Sequence, residues 1–267
     1  MCNNSYFYAT KVSIFAQRLC GGGGLNSLSC IQFVHTYDNI ISLENLFSAW
    51  KEFVRNKRSR KDVQEFERNL MDNVLSFHRD LVSKTYKHSL YEAFSISDPK
   101  PRSIHKAMVR DRLLHHALYR QLYPFFDRTF ISDSYSCRLN KGTQKAVNTF
   151  HRYTNKISQN ETRAVWVLKC DVKKFFASIN QDILMGIVDS YITDKDIIWL
   201  ISEIVRSFSI KEGIGLPLGN LTSQLLVNVY MNKFDQLIKH KIKAKHSIRY
   251  AEDFVIRVDH DGYRLAS

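Results

Sequence analysis

The distribution of apolar residues predicts an α+β fold, helical in its N-terminal half and built on an antiparallel sheet further on. Two stripes carry the helical part: Leu43, Leu46, Phe47, Trp50 and Phe53, then Val63, Phe66, Leu70, Val74, Phe77 and Leu81, all at the spacing of a buried helix face. The sheet is read from the valine-rich run AVWVLKC at 164–170, which stops at Asp171, and from alternating apolar residues on both sides of Glu252-Asp253.

The elements follow in order. Residues 1–40 show no periodicity, and Gly21–Gly24 read as flexible linker because glycine loses the most freedom on ordering; no Gly-Lys-Ser/Thr follows to make a phosphate loop. Ser42 supplies an N-cap for the first helix, and the basic stretch Lys57–Lys61 ends it. One second helix covers the Val63–Leu81 stripe. Residues 91–104 predict a short hairpin, with Phe94 and Ile96 before the turn signal Asp98-Pro99 and Arg102 and Ile104 after it. A helix over 110–123 packs Leu113, Leu114, Ala117, Leu118 and Leu122. Its adjacent His115 and His116 point about 100° apart, which makes them a poor metal site and better core or surface residues. After the strand at 164–170, expected to be buried, Asn180 caps a helix with Ile183, Leu184, Ile187 and Val188. Thr193 with Asp196 has the spacing of a capping box for the next, which carries Ile197, Leu200, Ile201, Ile204 and Val205. Beyond Gly215–Gly219 a third helix carries Leu225, Leu226, Val229 and Phe234, and the chain closes on the hairpin around Glu252-Asp253.

Apolar residues make up 44% of the 267 and charged residues 24%, the balance of a chain that buries a core. Lysine and arginine total 39 against 26 acids, a formal charge of +13. That surplus attracts polyanions and releases their counterions, so nucleic acid is the leading partner class; solubility or a membrane surface would draw on the same charge, and the motifs must decide. Five cysteines, at 2, 20, 30, 137 and 170, show no CxxC spacing and read as reduced thiols of an intracellular protein. No apolar run approaches the roughly 18 residues of a membrane helix, and the N-terminus lacks a signal-peptide pattern, so a cytoplasmic protein without a membrane partner is expected.

Two acidic points stand at strand ends: Asp171, and Glu252-Asp253 at a turn between apolar strands. Either alone is more often a cap or a solvated turn residue. Together they match what nucleotide polymerisation demands, two Mg²⁺ ions roughly 3.5–4 Å apart, held by hard oxygen ligands on adjacent strands.

LKCDVKKFFASI (168–179), GLPLGNLTSQ (215–224) and IRYAEDFV (248–255) fall in the order and spacing of reverse transcriptase palms. Upstream, DPKPRSIHKAMVRDRLLHHAL (98–118) looks like the fingers of that family, and DSYSCRLNKGTQKAV (133–147) resembles the stretch that follows in bacterial members. The chain thus resembles RNA-directed DNA polymerases of bacterial retroelements, including diversity-generating retroelement and group II intron-like enzymes. The resemblance implies a polymerase right-hand fold: an irregular segment at 1–40, N-terminal helices and fingers at 41–165, and a palm at 166–267. Only 14 residues follow Asp253 (267 − 253), so the helical thumb is expected to be absent. A shortened gene product is the favoured reading of that ending, and completion by a second polypeptide the other.

The resemblance also implies roles. Asp171 binds both Mg²⁺ ions, helped by the carbonyl of Val172, and Glu252 and Asp253 complete the catalytic acids. Phe176, beside Phe175, matches the steric gate whose ring fills the space of a ribose 2′ hydroxyl, so that deoxynucleotides fit. Arg102, assisted by Lys100, matches the arginine that folds over the incoming triphosphate, work suited to a planar bidentate donor. Gly219 lets the backbone approach the nucleotide, with Gln224 nearby in the same motif. Leu218 and Gln224 stand where the family often has glutamine and proline, a variant resembling diversity-generating retroelement enzymes, some of which copy inaccurately. The larger departure is Glu252, since the family hairpin reads Tyr-x-Asp-Asp. Its extra methylene moves the carboxylate by about 1 Å, and misplacement of that size costs on the order of 100-fold in rate.

The implied reaction adds deoxynucleotides to the 3′ end of a DNA or RNA primer on an RNA template, with an accessory protein or separate thumb polypeptide as a further partner. The rivals are an RNA-binding relative without turnover and a maturase-like splicing factor. Lys239, Lys241, Lys243 and Lys245 read as a phosphate grip or, preferred, as cations complementing a helix end.

Overall fold

The computed structural model describes residues 7–8, 31–97 and 101–258. Gly21–Gly24, the cysteines at 2, 20 and 30, and Asp98, Pro99 and Lys100 lie outside the described residues. In chain order the elements are β1 (Phe7–Tyr8), α1 (Tyr37–Ile41), α2 (Leu43–Phe53), α3 (Lys61–Arg68), α4 (Leu70–Val82), β2 (Glu92–Ser97), β3 (Pro101–Lys106), α5 (Val109–Asp127) and α6 (Thr143–Ile157). They continue with β4 (Trp166–Asp171), α7 (Phe175–Ser178), α8 (Gln181–Asp189), α9 (Lys195–Arg206), α10 (Leu221–Gln236), a π-helical turn at Leu237–Lys241, β5 (Ser247–Tyr250) and β6 (Asp253–Val258). This mixture of helices and antiparallel sheet agrees with the α+β expectation.

The chain divides into two compact units, each discontinuous in sequence. A sheet unit comprises Met1–Asn26, Thr129–Phe175 and Val227–Ser267, and a helical unit comprises Ser27–Arg128 and Phe176–Leu226. These units differ from the divisions at 40 and 165 that the resemblance implies, because strands of one sheet pair across a long intervening stretch of chain.

In the helical unit, the Ser42 side chain accepts from Asn45 N at the start of α2, as its capping position predicts. α2 packs Leu46, Ala49 and Phe53 against α5, which buries Leu113, Leu114, Ala117 and Leu118. Full burial of each large side chain contributes about 1.5–3 kcal/mol. Asn45 ties the elements together, its Nδ2 donating to Ile40 O at 2.7 Å and Ala117 O at 3.1 Å.

Two local expectations are corrected here. The single helix over Val63–Leu81 is two, α3 and α4, broken at Asn69 (φ −120°, ψ 42°). Asn73 Nδ2 donates to Phe66 O at 2.9 Å across the break, so a side-chain amide satisfies a carbonyl that the interrupted helix leaves open. The cap of α9 is Asp194 rather than Thr193: one carboxylate oxygen accepts from Asp196 N and Ile197 N, and the other from Tyr37 N at 2.8 Å. A carboxylate satisfies three amides there, and a hydroxyl has too few acceptor sites for them.

The sheet unit has strand order β1-β4-β6-β5, with β1 parallel to β4 and the other pairs antiparallel. Tyr135, Ala146 of α6 and Ile248 of β5 form a buried cluster, with Phe150 and Tyr153 packed against it. Phe234 of α10 meets Phe254 of β6 at 4.8 Å. β4 is hydrogen-bonded along both edges, yet only Cys170 is buried and Trp166, Lys169 and Asp171 are exposed. The valine-rich run therefore reports a strand correctly and its burial incorrectly, because edge-to-edge pairing leaves the faces of a strand to be covered separately. Among the four lysines at 239–245, Lys239 is tied to neighbouring segments: its Nζ lies 2.6 Å from Asp133 Oδ2 and donates to Lys245 O.

Two predictions follow from buried charge. Burial, and after it His88, His116 and Arg112, hold His115 well below the usual histidine range, and burial with Lys57 and Arg112 holds His116 at about 4. Their unfolded value is about 6.5, so the unfolded chain binds the additional protons. Stability is fully present above pH 6.5 and falls as pH drops toward 4. The thermal midpoint of His116→Gln should fall less steeply than wild type between pH 6.5 and 5, and parallel slopes would refute this. Arg257 of β6 is 7% exposed and sits 3.8 Å over the Phe150 ring, with Nη1 and Nη2 lacking hydrogen-bond partners among the described residues. Because an unpaired buried charge costs more than its packing returns, Arg257→Met should stabilise the protein by about 1 kcal/mol in urea unfolding.

Candidate active site

Asp171, the last residue of β4, is the register partner of Asp253, the first of β6. Directly opposed residues of an antiparallel pair project from the same face with Cα atoms about 4.5–5.5 Å apart, so two carboxylates leave the same end of the sheet side by side. Glu252 occupies the two-residue turn Ala251-Glu252 between the paired Tyr250 and Asp253. Val172 N donates to Glu252 O at 3.3 Å, which stitches the turn to the residue after Asp171. Ala251 holds φ at +52°, a left-handed conformation that costs a non-glycine residue about 1–2 kcal/mol.

Asp171 is exposed, and Glu252 and Asp253 are partly so. Like charges opposed in this way destabilise a strand pair, and a divalent cation offsets the repulsion. Among the described residues no three His, Cys, Asp or Glu side chains are gathered tightly enough to hold a metal ion, so the structure presents an acid pair with Glu252 adjacent to it. The donor set of carboxylates and backbone carbonyl is the chemistry that Mg²⁺ takes, and in kind these residues fit it.

The helical unit places Phe176, Gly219 and the strand that carries Arg102 around one loop. Leu216 N donates to Phe176 O and Gly215 N to Ile179 O, both at 2.8 Å, so the 215–219 loop lies along the segment that begins at Phe176. Gln181, not anticipated from the sequence, locks that arrangement: its Nε2 donates to Phe208 O at 2.7 Å and Gly215 O at 2.9 Å. β3 is pinned to the other end of the loop, with His105 N donating to Leu218 O and Asn220 Nδ2 to His105 O, each at 3.0 Å. Gly219 has φ +106°, and a Cβ built on it would stand 2.8 Å from Ile104 Cγ2. Glycine is thus demanded by the protein itself, before any ligand. Arg102 is exposed on β3 opposite Ile96, two residues from that contact. Gln224 lies in the first turn of α10. Phe176 is partly exposed, whereas Phe175 in the sheet unit is buried at 5% and belongs to the core.

A model of the family described as reverse transcriptase (RNA-dependent DNA polymerase) matches residues 96–263, more than half of the chain and every residue of the site. The chain belongs to the reverse transcriptase family. Protein YkfC of Escherichia coli is 26% identical over 151 residues, 54% of this reverse transcriptase chain and 39% of that protein. The putative COX1/OXI3 intron 1 protein of Saccharomyces cerevisiae is 26% identical over 170 residues, 57% of this chain and 20% of its own length. The mitochondrial nuclear intron maturase 1 of Arabidopsis thaliana is 25% identical over 97 residues, 36% of this chain and 13% of its own. The chain therefore spans well under half the length of these relatives. Among solved structures, the partial Cas6-RT-Cas1--Cas2 complex shares the fold, with TM-score 0.51 and 23% identity over 83% of this chain and 38% of that one.

The contact between Gly219 and Ile104 is testable in this reverse transcriptase by a double-mutant cycle. Gly219→Ala should cost about 1–3 kcal/mol in urea unfolding, from strained backbone and clash together. The cost should shrink when Ile104→Ala is present, and equal costs in both backgrounds would show that the clash plays no part.

Proposed function

We propose that this chain catalyses RNA-directed DNA synthesis, adding deoxynucleotides to a primer 3′ end on an RNA template and releasing pyrophosphate. The observation that carries this is the pairing of Asp171 with Asp253 across β4 and β6, with Glu252 at the tip of the same hairpin. Asp171, Glu252, Asp253 and the carbonyl of Val172 are the groups that would hold two Mg²⁺ ions, which when bound supply an activated primer hydroxyl and a neutralised triphosphate. The side chains at 171, 252 and 253 orient that charge and hold it at the sheet end. The ring of Phe176 excludes a ribose 2′ hydroxyl, and since Phe175 is buried the gate falls to Phe176 alone. Arg102 offers a planar fork to phosphate oxygens, with Lys100 as a second cation, and Gly219 and Gln224 flank the nucleotide. The surplus of 13 positive charges favours the template backbone and makes binding salt-sensitive. A cytoplasmic setting, a DNA or RNA primer, and an accessory protein or separate thumb polypeptide belong to the same reading. Among the described residues no helix is long and apolar enough to cross a membrane.

The likeness to a protein named for an intron and to one named an intron maturase motivates a second reading, a maturase-like splicing factor or a relative that binds RNA without polymerisation. Extension of a DNA primer on an RNA template in Mg²⁺ separates the two. Wild type should extend, and Asp171→Ala should lower the rate by about 10³-fold or more. Glu252→Asp should raise it, by up to about 100-fold, if the longer side chain misplaces the carboxylate. Absence of extension by all three, with salt-sensitive RNA binding retained, would favour the second reading.

A further inference from the structure

We propose that Arg249 is a positioning residue that sets the geometry of the metal-binding hairpin tip, anchored for that purpose on the buried carboxylate of Asp235; the inference rests on the polymerase reading above. Both side chains are 2% exposed. Arg249 Nε donates to Asp235 Oδ1 at 2.8 Å and Oδ2 at 3.0 Å, and Nη2 to Oδ2 at 2.7 Å, the fork geometry of a strong ion pair. Nη2 also donates to Ser134 Oγ at 2.9 Å, and Nη1 to Asn228 Oδ1 and to Ala251 O, each at 3.1 Å. All five guanidinium hydrogens are therefore used.

The last of these bonds is the informative one. Four hydrogens go to side-chain oxygens, and the fifth reaches the main chain at the tip of the arginine's own hairpin, at the carbonyl of Ala251. That residue is the left-handed one, and Glu252 follows it directly. The peptide between the strained residue and the predicted ligand is thus held by a side chain that is itself held at four other points. Val172 N separately holds the carbonyl of Glu252, so consecutive carbonyls of the turn are fixed by independent donors. Asn228 is in turn oriented by donation of its Nδ2 to Ser136 O at 3.0 Å, which aims Oδ1 at the arginine. The main chain of Arg249 adds to this, its N donating to Asp133 O and its O accepting from Tyr135 N.

A purely stabilising role would not need this arrangement, since apolar side chains of similar volume replace buried ion pairs at little cost or with gain. Lysine cannot reproduce it: a single ammonium has three donors at one point and cannot span Asp235, Ser134, Asn228 and Ala251 together.

The test measures Mn²⁺ binding by electron paramagnetic resonance in the full chain, alongside Mg²⁺ titration of primer extension and thermal unfolding. Wild type, Arg249→Lys, Asn228→Ala and Asp171→Ala are compared. Asp171→Ala defines the site. The expected result is loss of roughly 10-fold or more in Mn²⁺ affinity for Arg249→Lys, with the Mg²⁺ midpoint of extension raised and KM for deoxynucleotide within about twofold, and a smaller shift in the same direction for Asn228→Ala. Wild-type Mn²⁺ affinity in a folded Arg249→Lys overturns the proposal and leaves a structural ion pair. Where Arg249→Lys does not fold, Asn228→Ala decides by the same criterion. Absence of Asp171-dependent Mn²⁺ binding in wild type would instead defeat the metal reading of the hairpin, and the proposal with it, a result distinct from intact wild-type binding with unaffected variants.

Discussion

Carboxylates held opposite each other on paired strands repel, although solvent at the end of the sheet screens part of that repulsion. Asp171 and Asp253 are kept there by register. A slip of one residue between β4 and β6 would send Asp253 to the other face and take it out of its place opposite Asp171. The register is therefore the constraint on which the sheet unit depends, and much of that unit serves to fix it. β6 is paired on both edges, its partner β5 is joined through Arg249 to the 133–135 segment, and Val172 closes the turn.

Two arginines of the β5–β6 hairpin show how differently a buried cation is treated. Arg249 uses every donor it has and meets a carboxylate in bidentate geometry. Arg257, almost as deeply buried, stacks on Phe150 and leaves both terminal nitrogens without partners among the described residues. A buried guanidinium without partners lowers stability, whereas a fully bonded one is near neutral in stability and confers definite geometry. Definite geometry is what the acidic tip requires, because a shift of about 1 Å at a reacting centre is expensive in rate.

The helical unit meets its own constraint by different means. The loop at 215–219 has no regular structure to fix it, so its amides and carbonyls are taken up by Phe176, Ile179, Gln181 and His105. The close approach of Ile104 to Gly219 sets how tightly β3 can lie on that loop. The motif that carries Gly219 and the hairpin that carries Arg102 are consequently one packed assembly, and neither can be altered without moving the other.

The sequence by itself determined most of the longer helices, both hairpins, the strand β4, the family, and the acids at strand ends, because periodicity, caps and motif order are local properties of the chain; β1, α1, α6 and α7 were not legible there. It showed the helix stripes of α2 and α5, the cap at Ser42, both hairpins, and Asp171 with Glu252-Asp253. Other features were decided only by the tertiary structure. The break at Asn69 depends on Asn73 reaching back to Phe66, the cap at Asp194 is shared with Tyr37 from another helix, and the exposure of β4 reflects what covers its faces. Gln181 and Arg249 looked like ordinary polar residues in sequence and became the fixed points of their units once folded. The physical reason is common to all of these: a side chain's type and spacing are written along the chain, but its hydrogen-bond partners and its solvent exposure come from segments far away in sequence.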